Sequence, residues 1–463
     1  MVGVPGRSKG CITCRRRKKG CDLQRPICGQ CRSKGLFCGS YNDDRIFVNE
    51  NSRFSQGQGS IQHLQRVATQ VDIMLPDNLT RSAYGERFIE EFFDVYLPYP
   101  HKGRPAVIHT NSFLSALTTL YVQDQTLRYA LLAIGATFLG KVSGEIQLIQ
   151  QGYRVYGQCL WKLQRALQFP DSSIGEALLA VPRLMGLFEI LFGTEEHTKQ
   201  QAASWCSHAD GEWALMRNKG AESYSNGVAH DLFVEGRLNP IIAAIRMRKA
   251  TPLNSDEWKT IPWKLHPKTP KDSLIDILAG IPELMHDREI LPTLGSNVYA
   301  NGHGKSLKKC LKLSKKLEYW SLRYMDLLYT PASEKAVAIH FRDPNTAHLS
   351  VLYWTTSTLL YLCLDDLLSV PFSDKSLHHQ DRNHPRVFAR RIARSASYFF
   401  GESLGIWGAT TISFPIGTAL LYLKRNEIDE DYTRLIFTAW QNPNLPGAIK
   451  KFIDSMGRIQ ITE

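Results

Sequence analysis

Six of the ten cysteines in this 463-residue chain fall close together, at Cys11, Cys14, Cys21, Cys28, Cys31 and Cys38. Their spacing reads C-x2-C-x6-C-x6-C-x2-C-x6-C, and the last three repeat the first three at an offset of 17 residues. Thiolates packed this densely bind soft metal ions. Two cysteines separated by two residues can grip one ion, because the turn between them aims both sulfurs the same way. Two tetrahedral ions need eight ligand contacts, which six thiolates supply when two of them bridge, one from each half of the repeat. The expected centre is therefore a binuclear cluster holding two zinc ions, although cadmium or another soft metal could take their place. A narrower subset, C-x2-C-x13-C-x2-C at Cys11, Cys14, Cys28 and Cys31, suits a single-zinc finger but leaves Cys21 and Cys38 unused.

A disulfide framework is the competing use of such a cluster. The opening residues, MVGVPGRSKG, are basic but lack the apolar run of a secretory signal, so an oxidising compartment is not expected. The other four cysteines, Cys159, Cys206, Cys310 and Cys363, are scattered singly.

Between the second and third cysteines stand five consecutive bases, Arg15, Arg16, Arg17, Lys18 and Lys19. Residues 1–38 hold ten Lys/Arg against one acid, Asp22, and so carry +9 of the chain's +12; the remainder is near neutral at +3. Six thiolates and two zinc ions together contribute −2, which leaves the loaded segment at about +7. A unit this small has too little apolar material for a core and must draw its stability from metal. Held between two ligands, the bases are suited to nucleic acid: Lys or Arg donates to guanine O6 and N7 in the major groove, and the others neutralise phosphates. A solvated basic face, or a nuclear-import signal compatible with DNA contact, is the plainer reading of the same run.

The segment GCITCRRRKKGCDLQRPICGQCRSKGLFC closely resembles the fungal binuclear zinc cluster transcription factors. The resemblance implies that Cys11 and Cys28 bridge, that Cys14 and Cys21 complete one zinc site, and that Cys31 and Cys38 complete the other. It also matches Pro26 to the family's loop proline. It places Lys18 as the main base-reading residue on a short helix directed at CGG triplets, with Arg17 as an accessory. It further implies double-stranded DNA and the transcription machinery as partners, a nuclear location, and control of a pathway such as a secondary-metabolite gene cluster. A zinc-binding protein-interaction module without base-specific DNA contact is the alternative function.

The elements that follow read as three parts: residues 1–45 as the zinc cluster, 46–80 as a linker, and 81–463 as a helical regulatory domain. The linker contains SQGQGSIQ at Ser55–Gln62, poor in order-promoting residues. Within it Ile61, Leu64, Ala68, Val71 and Leu75 follow 3-4-3-4 spacing until Pro76. That seam fits either a short zipper contact in a homodimer or a helix packing on its own domain.

Beyond it the apolar period is helical over Tyr84–Leu97, Leu127–Leu139, Ile146–Leu167, Ile174–Phe192 and Tyr432–Trp440, with no run of alternating strands. A mainly α fold is expected. Pro344–Leu364 and Ser403–Leu423 lack Asp, Glu, Lys and Arg, but hydroxyl residues interrupt the first and Gly and Pro the second. Both read as buried core helices, with no membrane partner expected.

No catalytic constellation emerges, and an enzyme is not expected. Gly304-Lys305-Ser306 has Tyr299 where a phosphate-binding loop needs its first glycine. His378, His379 and His384 near Asp374 and Asp381 suit a polar loop better than a metal site. The lysine-rich Lys305–Lys316, with Leu307, Leu311 and Leu317 at helical spacing, reads as an amphipathic helix with a solvated basic face.

Overall fold

The computed structural model of the chain describes residues 11–24, 27–36, 38, 77–96, 116–117, 119–168, 175–193, 198–293, 296–369, 384–424, 427–442 and 447–457. Pro26, the Ser55–Gln62 stretch, the Ile61–Leu75 seam, His378 and His379 lie outside the described residues. The chain divides into two units, Met1–Met74 and Leu75–Glu463. Among the described residues every regular element is a helix, as the mainly α reading expects.

Over their described residues the five periodic segments coincide with the helices Asp77–Tyr96, Gln125–Ser143, Ile146–Gln168, Glu176–Phe192 and Glu430–Trp440, while Leu97 and Ile174 lie outside the described residues. Gln125–Ser143 starts where the Asp124 carboxylate accepts the Leu127 amide at 2.8 Å, a side-chain cap. It packs closely against Ile146–Gln168 because Gly152 has no side chain. A Cβ there would fall on Thr137 Oγ1 and lie 2.8 Å from the Thr137 nitrogen.

The two charge-free stretches form the helices Pro344–Leu368 and Gly405–Leu423 at the centre of one apolar core. Gly405–Leu423 lies in the one described helix long and apolar enough to cross a membrane, and 72% of that stretch is buried within the protein. Its neighbours include Pro385–Phe399, Pro344–Leu368 and Gly447–Gly457. Several of the buried hydroxyls of Pro344–Leu368 bond back along the helix, while the buried Ser357 hydroxyl has no hydrogen-bond partner. Thr355, Thr356 and Thr358 donate to the carbonyls of Val351, Leu352 and Trp354 at 2.7, 2.9 and 2.8 Å.

Lys305–Lys316 lies within the helix Ser296–Arg323. Leu317 is buried, while Lys305, Lys308, Lys312, Lys315 and Lys316 are exposed. Lys309 bonds Glu283 at 2.7 Å and Asp287 at 3.4 Å. Gly304-Lys305-Ser306 is interior helix, and the Ser306 hydroxyl donates to Asp287.

Buried acids in this domain differ in how they are compensated. Asp429 is met by Arg390 at 2.7 Å and Arg386 at 3.3 Å, and Asp272 by Arg237 at 3.2 Å. Glu212, 1% exposed, has the Asn239 amide at 3.4 Å. Burial pushes its pKa up to about 7; the charge of Arg183 and the Asn239 hydrogen bond oppose that rise without cancelling it.

Between about pH 4.5 and 7 the unfolded chain has released this proton while the folded chain keeps it. The folded state then binds more protons, and stability falls as pH rises through that window. Glu212→Gln should abolish this slope and make the domain more stable at pH 8, by about 3 kcal/mol for a shift of this size. Urea unfolding of both proteins at pH 5 and pH 8 measures it. Equal pH dependence in the two would refute the assignment.

Candidate metal centre and nucleic-acid interface

Each half of the cysteine repeat folds the same way. A short helix, Ile12–Arg16 or Gly29–Arg32, follows the first cysteine of its half. The second cysteine of each half donates its amide to the first cysteine's sulfur: Cys14 N to Cys11 Sγ and Cys31 N to Cys28 Sγ, both 3.4 Å. The first cysteine's amide in turn reaches the third sulfur, Cys11 N to Cys21 Sγ at 3.5 Å and Cys28 N to Cys38 Sγ at 3.4 Å. The 17-residue sequence repeat is thus a structural repeat, and backbone amides aim its sulfurs inward.

The sulfurs gather into two groups of four, Cys11, Cys14, Cys21 and Cys28, and Cys11, Cys28, Cys31 and Cys38. Within each group the sulfurs lie within 4.8 Å of one another, and Cys11 and Cys28 are common to both. Cys11 Sγ stands 3.8 Å from Cys28 Sγ and from Cys31 Sγ, and Cys14 Sγ 3.7 Å from Cys28 Sγ. A tetrahedron with zinc–sulfur bonds of about 2.3 Å has edges of about 3.8 Å. The donor set therefore fits two zinc ions sharing one edge.

Cys11, Cys14, Cys28 and Cys31 are fully buried, and Cys21 and Cys38 half-buried. Burial pushes the Cys14 thiol up to about 12, with further rises from hydrogen bonds to Cys11 and Cys28. At Cys11 and Cys28 burial also acts upward, but the amides of Cys14 and Cys31 pointing at the sulfurs leave both thiols below the ordinary value.

The basic run is divided by the end of its helix, a detail that spacing alone did not show. Arg15 and Arg16 are helical, whereas Arg17 and Lys18 form the turn that closes the helix. Lys18 adopts a left-handed conformation, φ 53°, and the Lys19 amide returns to the Cys14 carbonyl at 3.0 Å. In the second half Gly35, φ 59°, takes the equivalent position, and Leu36 bonds the Cys31 carbonyl at 2.9 Å. This is the closure glycine ordinarily provides at a helix C-terminus. Lysine there is disfavoured, and its side chain stands at the apex of the turn. Arg16, Arg17, Lys18 and Lys19 are all exposed.

Asp22 has a role that its sequence position did not disclose. Its two carboxylate oxygens accept the Gly29 amide at 3.0 and 2.9 Å, at the N-terminus of the second helix. The sole acid of residues 1–38 thus ties the two halves together and stabilises a helix start.

Residues 9–45 match the family model described as the fungal Zn(2)-Cys(6) binuclear cluster domain, and residues 84–285 that of the fungal specific transcription factor domain. Both families are those of transcription factors rather than enzymes. No curated protein and no solved structure matches the chain.

Proposed function

Since the chain belongs to the fungal binuclear zinc cluster transcription factors, whose cluster domain binds two zinc ions and DNA, we propose that it reads CGG-containing promoter sites through Lys18. In this reading Cys11 and Cys28 bridge the ions, Cys14 and Cys21 complete one site, and Cys31 and Cys38 the other. The shared membership of Cys11 and Cys28 in both four-sulfur groups supports the assignment. Zinc orders the turn, and the turn presents the bases. Lys18, with Arg17 beside it, donates to guanine edges, while Arg15, Arg16 and Lys19 hold phosphates. The single observation carrying this reading is the exposed, left-handed Lys18 at the apex of a turn anchored on Cys14.

Residues 1–45 form the DNA-binding domain, 46–80 the linker and 81–463 the regulatory domain that conveys its state to the transcription machinery. The protein acts in the nucleus as a homodimer joined along Ile61–Leu75, and controls a biosynthetic gene cluster of the secondary-metabolite kind. The family resemblance supports these finer statements, and the heptad spacing supports the dimer.

Selection of bound sites from random duplex DNA by the full-length, zinc-loaded protein tests the reading. Paired CGG triplets at fixed separation are the expected result, with a log–log salt slope near −4 to −5 if about five phosphates are neutralised per module. Single triplets would indicate a monomer and discard the seam. No enrichment, with two zinc ions per chain confirmed, would favour a protein-interaction module instead.

A further inference from the structure

Where its central helices converge, the helical domain holds a partly open cavity of about 200 Å³. Aromatic rings line it, among them Tyr96, Trp205, Trp407 and Phe414. So does a charged trio, Arg183, Glu235 and Lys271. Glu235 lies 3.9 Å from the Arg183 guanidinium and 3.4 Å from the Lys271 ammonium, so two cations share one carboxylate. His348, also in the lining, adds no charge, because burial and then the charge of Lys271 hold its pKa down to about 3. The lining itself thus carries two cations and one carboxylate, and Glu212, which the charge of Arg183 also reaches, keeps its proton up to about pH 7.

The helix Gly405–Leu423 contributes Thr411, Ser413, Phe414 and Pro415 to the lining. Pro415 lies inside it and has no amide hydrogen for the Thr411 carbonyl one turn back, and both residues border the cavity. Interiors hold few voids larger than a water molecule. A partly open cavity lined by both rings and charges has the composition of a ligand site.

We infer that this cavity binds a small organic carboxylate bearing one compact aromatic ring, its acid group at Arg183 and Lys271 and its ring among the Trp and Phe side chains. Size limits the class. A cavity of about 150 Å³ accommodates benzene, so this one holds a single ring and a short acid-bearing arm. Charge limits it as well: an acid neutralises the surplus cation, whereas an amine would double it. Preorganised aromatic walls with a few convergent polar groups are how such pockets fix orientation. The cavity lies wholly within residues 75–463, and its occupancy requires no particular DNA sequence to be read.

The test uses the full-length, zinc-loaded protein and a panel of benzoate, phenylacetate and cinnamate with their matching amides. Binding is followed by tryptophan fluorescence, for which Trp205 and Trp407 are placed in the lining, and by the thermal unfolding midpoint. At least one acid should bind saturably and raise the midpoint, with its amide about ten- to hundredfold weaker. Lys271→Met should erase most of that preference, and Thr411→Phe should fill the cavity and block both. If Thr411→Phe fails to fold, Lys271→Met, shown folded by circular dichroism, decides the matter. Absence of saturable binding by every acid, equal binding of acid and amide, or an undiminished preference in Lys271→Met would each overturn the inference.

Discussion

Replacing Cys11 or Cys28 with serine should cost the cluster both zinc ions and all sequence-specific DNA binding, whereas serine at Cys21 or Cys38 should leave one four-sulfur site complete. The asymmetry follows from geometry, since Cys11 and Cys28 belong to both sulfur groups and Cys21 and Cys38 to one each. Losing a shared sulfur leaves neither ion with four thiolates. Structural zinc contributes about 10–16 kcal/mol to small domains of this type. Among the described residues nothing else in the module replaces that, because their buried cluster consists of cysteines alone. Zinc per chain, measured by elemental analysis beside circular dichroism of the unit, should fall from two toward none in the shared-ligand variants and toward one in the others. Full zinc content in Cys11→Ser, or identical losses at all six positions, would remove the bridging assignment.

What could be read from the chain, and what could not, divides by how local the physics is. The metal centre was legible because its ligands are chemically distinctive and close in sequence, and the 17-residue repeat already implied two equivalent halves. Helices such as Ile146–Gln168 were legible for the same reason, since one apolar stripe at helical spacing specifies them.

The cavity was not legible. Its lining runs from Phe92 to Phe452, and only tertiary packing brings those helices together. Glu212 left a faint trace. It occupies the buried stripe of Thr198–Lys219 with Trp205, Ala209 and Met216, where a charged residue breaks the pattern. The helix end between Arg16 and Lys18 was hidden because five successive bases carry no periodicity to mark it.

Lys18→Gly is expected to change stability and binding in opposite directions. A non-glycine residue in the left-handed region costs about 1–2 kcal/mol, part of which glycine returns through its greater freedom in the unfolded chain. The second half already has Gly35 at the equivalent place, with φ within a few degrees of Lys18. Glycine at 18 should therefore keep the turn and both zinc ions and stabilise the module slightly. DNA binding should move the other way. A lysine bonded to a guanine edge is worth about 1–3 kcal/mol, roughly ten- to hundredfold in affinity. If two modules engage one site the losses multiply, to roughly 10²–10⁴-fold.

The salt dependence separates base reading from phosphate contact. Lys18→Gly should leave the log–log slope unchanged, whereas Lys19→Gln should reduce its magnitude by about 0.9 per bound module while weakening all sequences alike. Lys18→Arg should not restore the original preference, because a planar guanidinium fork presents its donors differently from an ammonium. Fluorescence anisotropy on the selected site and on a scrambled duplex, over a salt series and beside thermal melts, measures all of these. If Lys18→Gly binds the selected site within twofold of the parent, bases are read elsewhere. If it melts earlier with zinc intact, the lysine packs into the turn instead of reaching out from it.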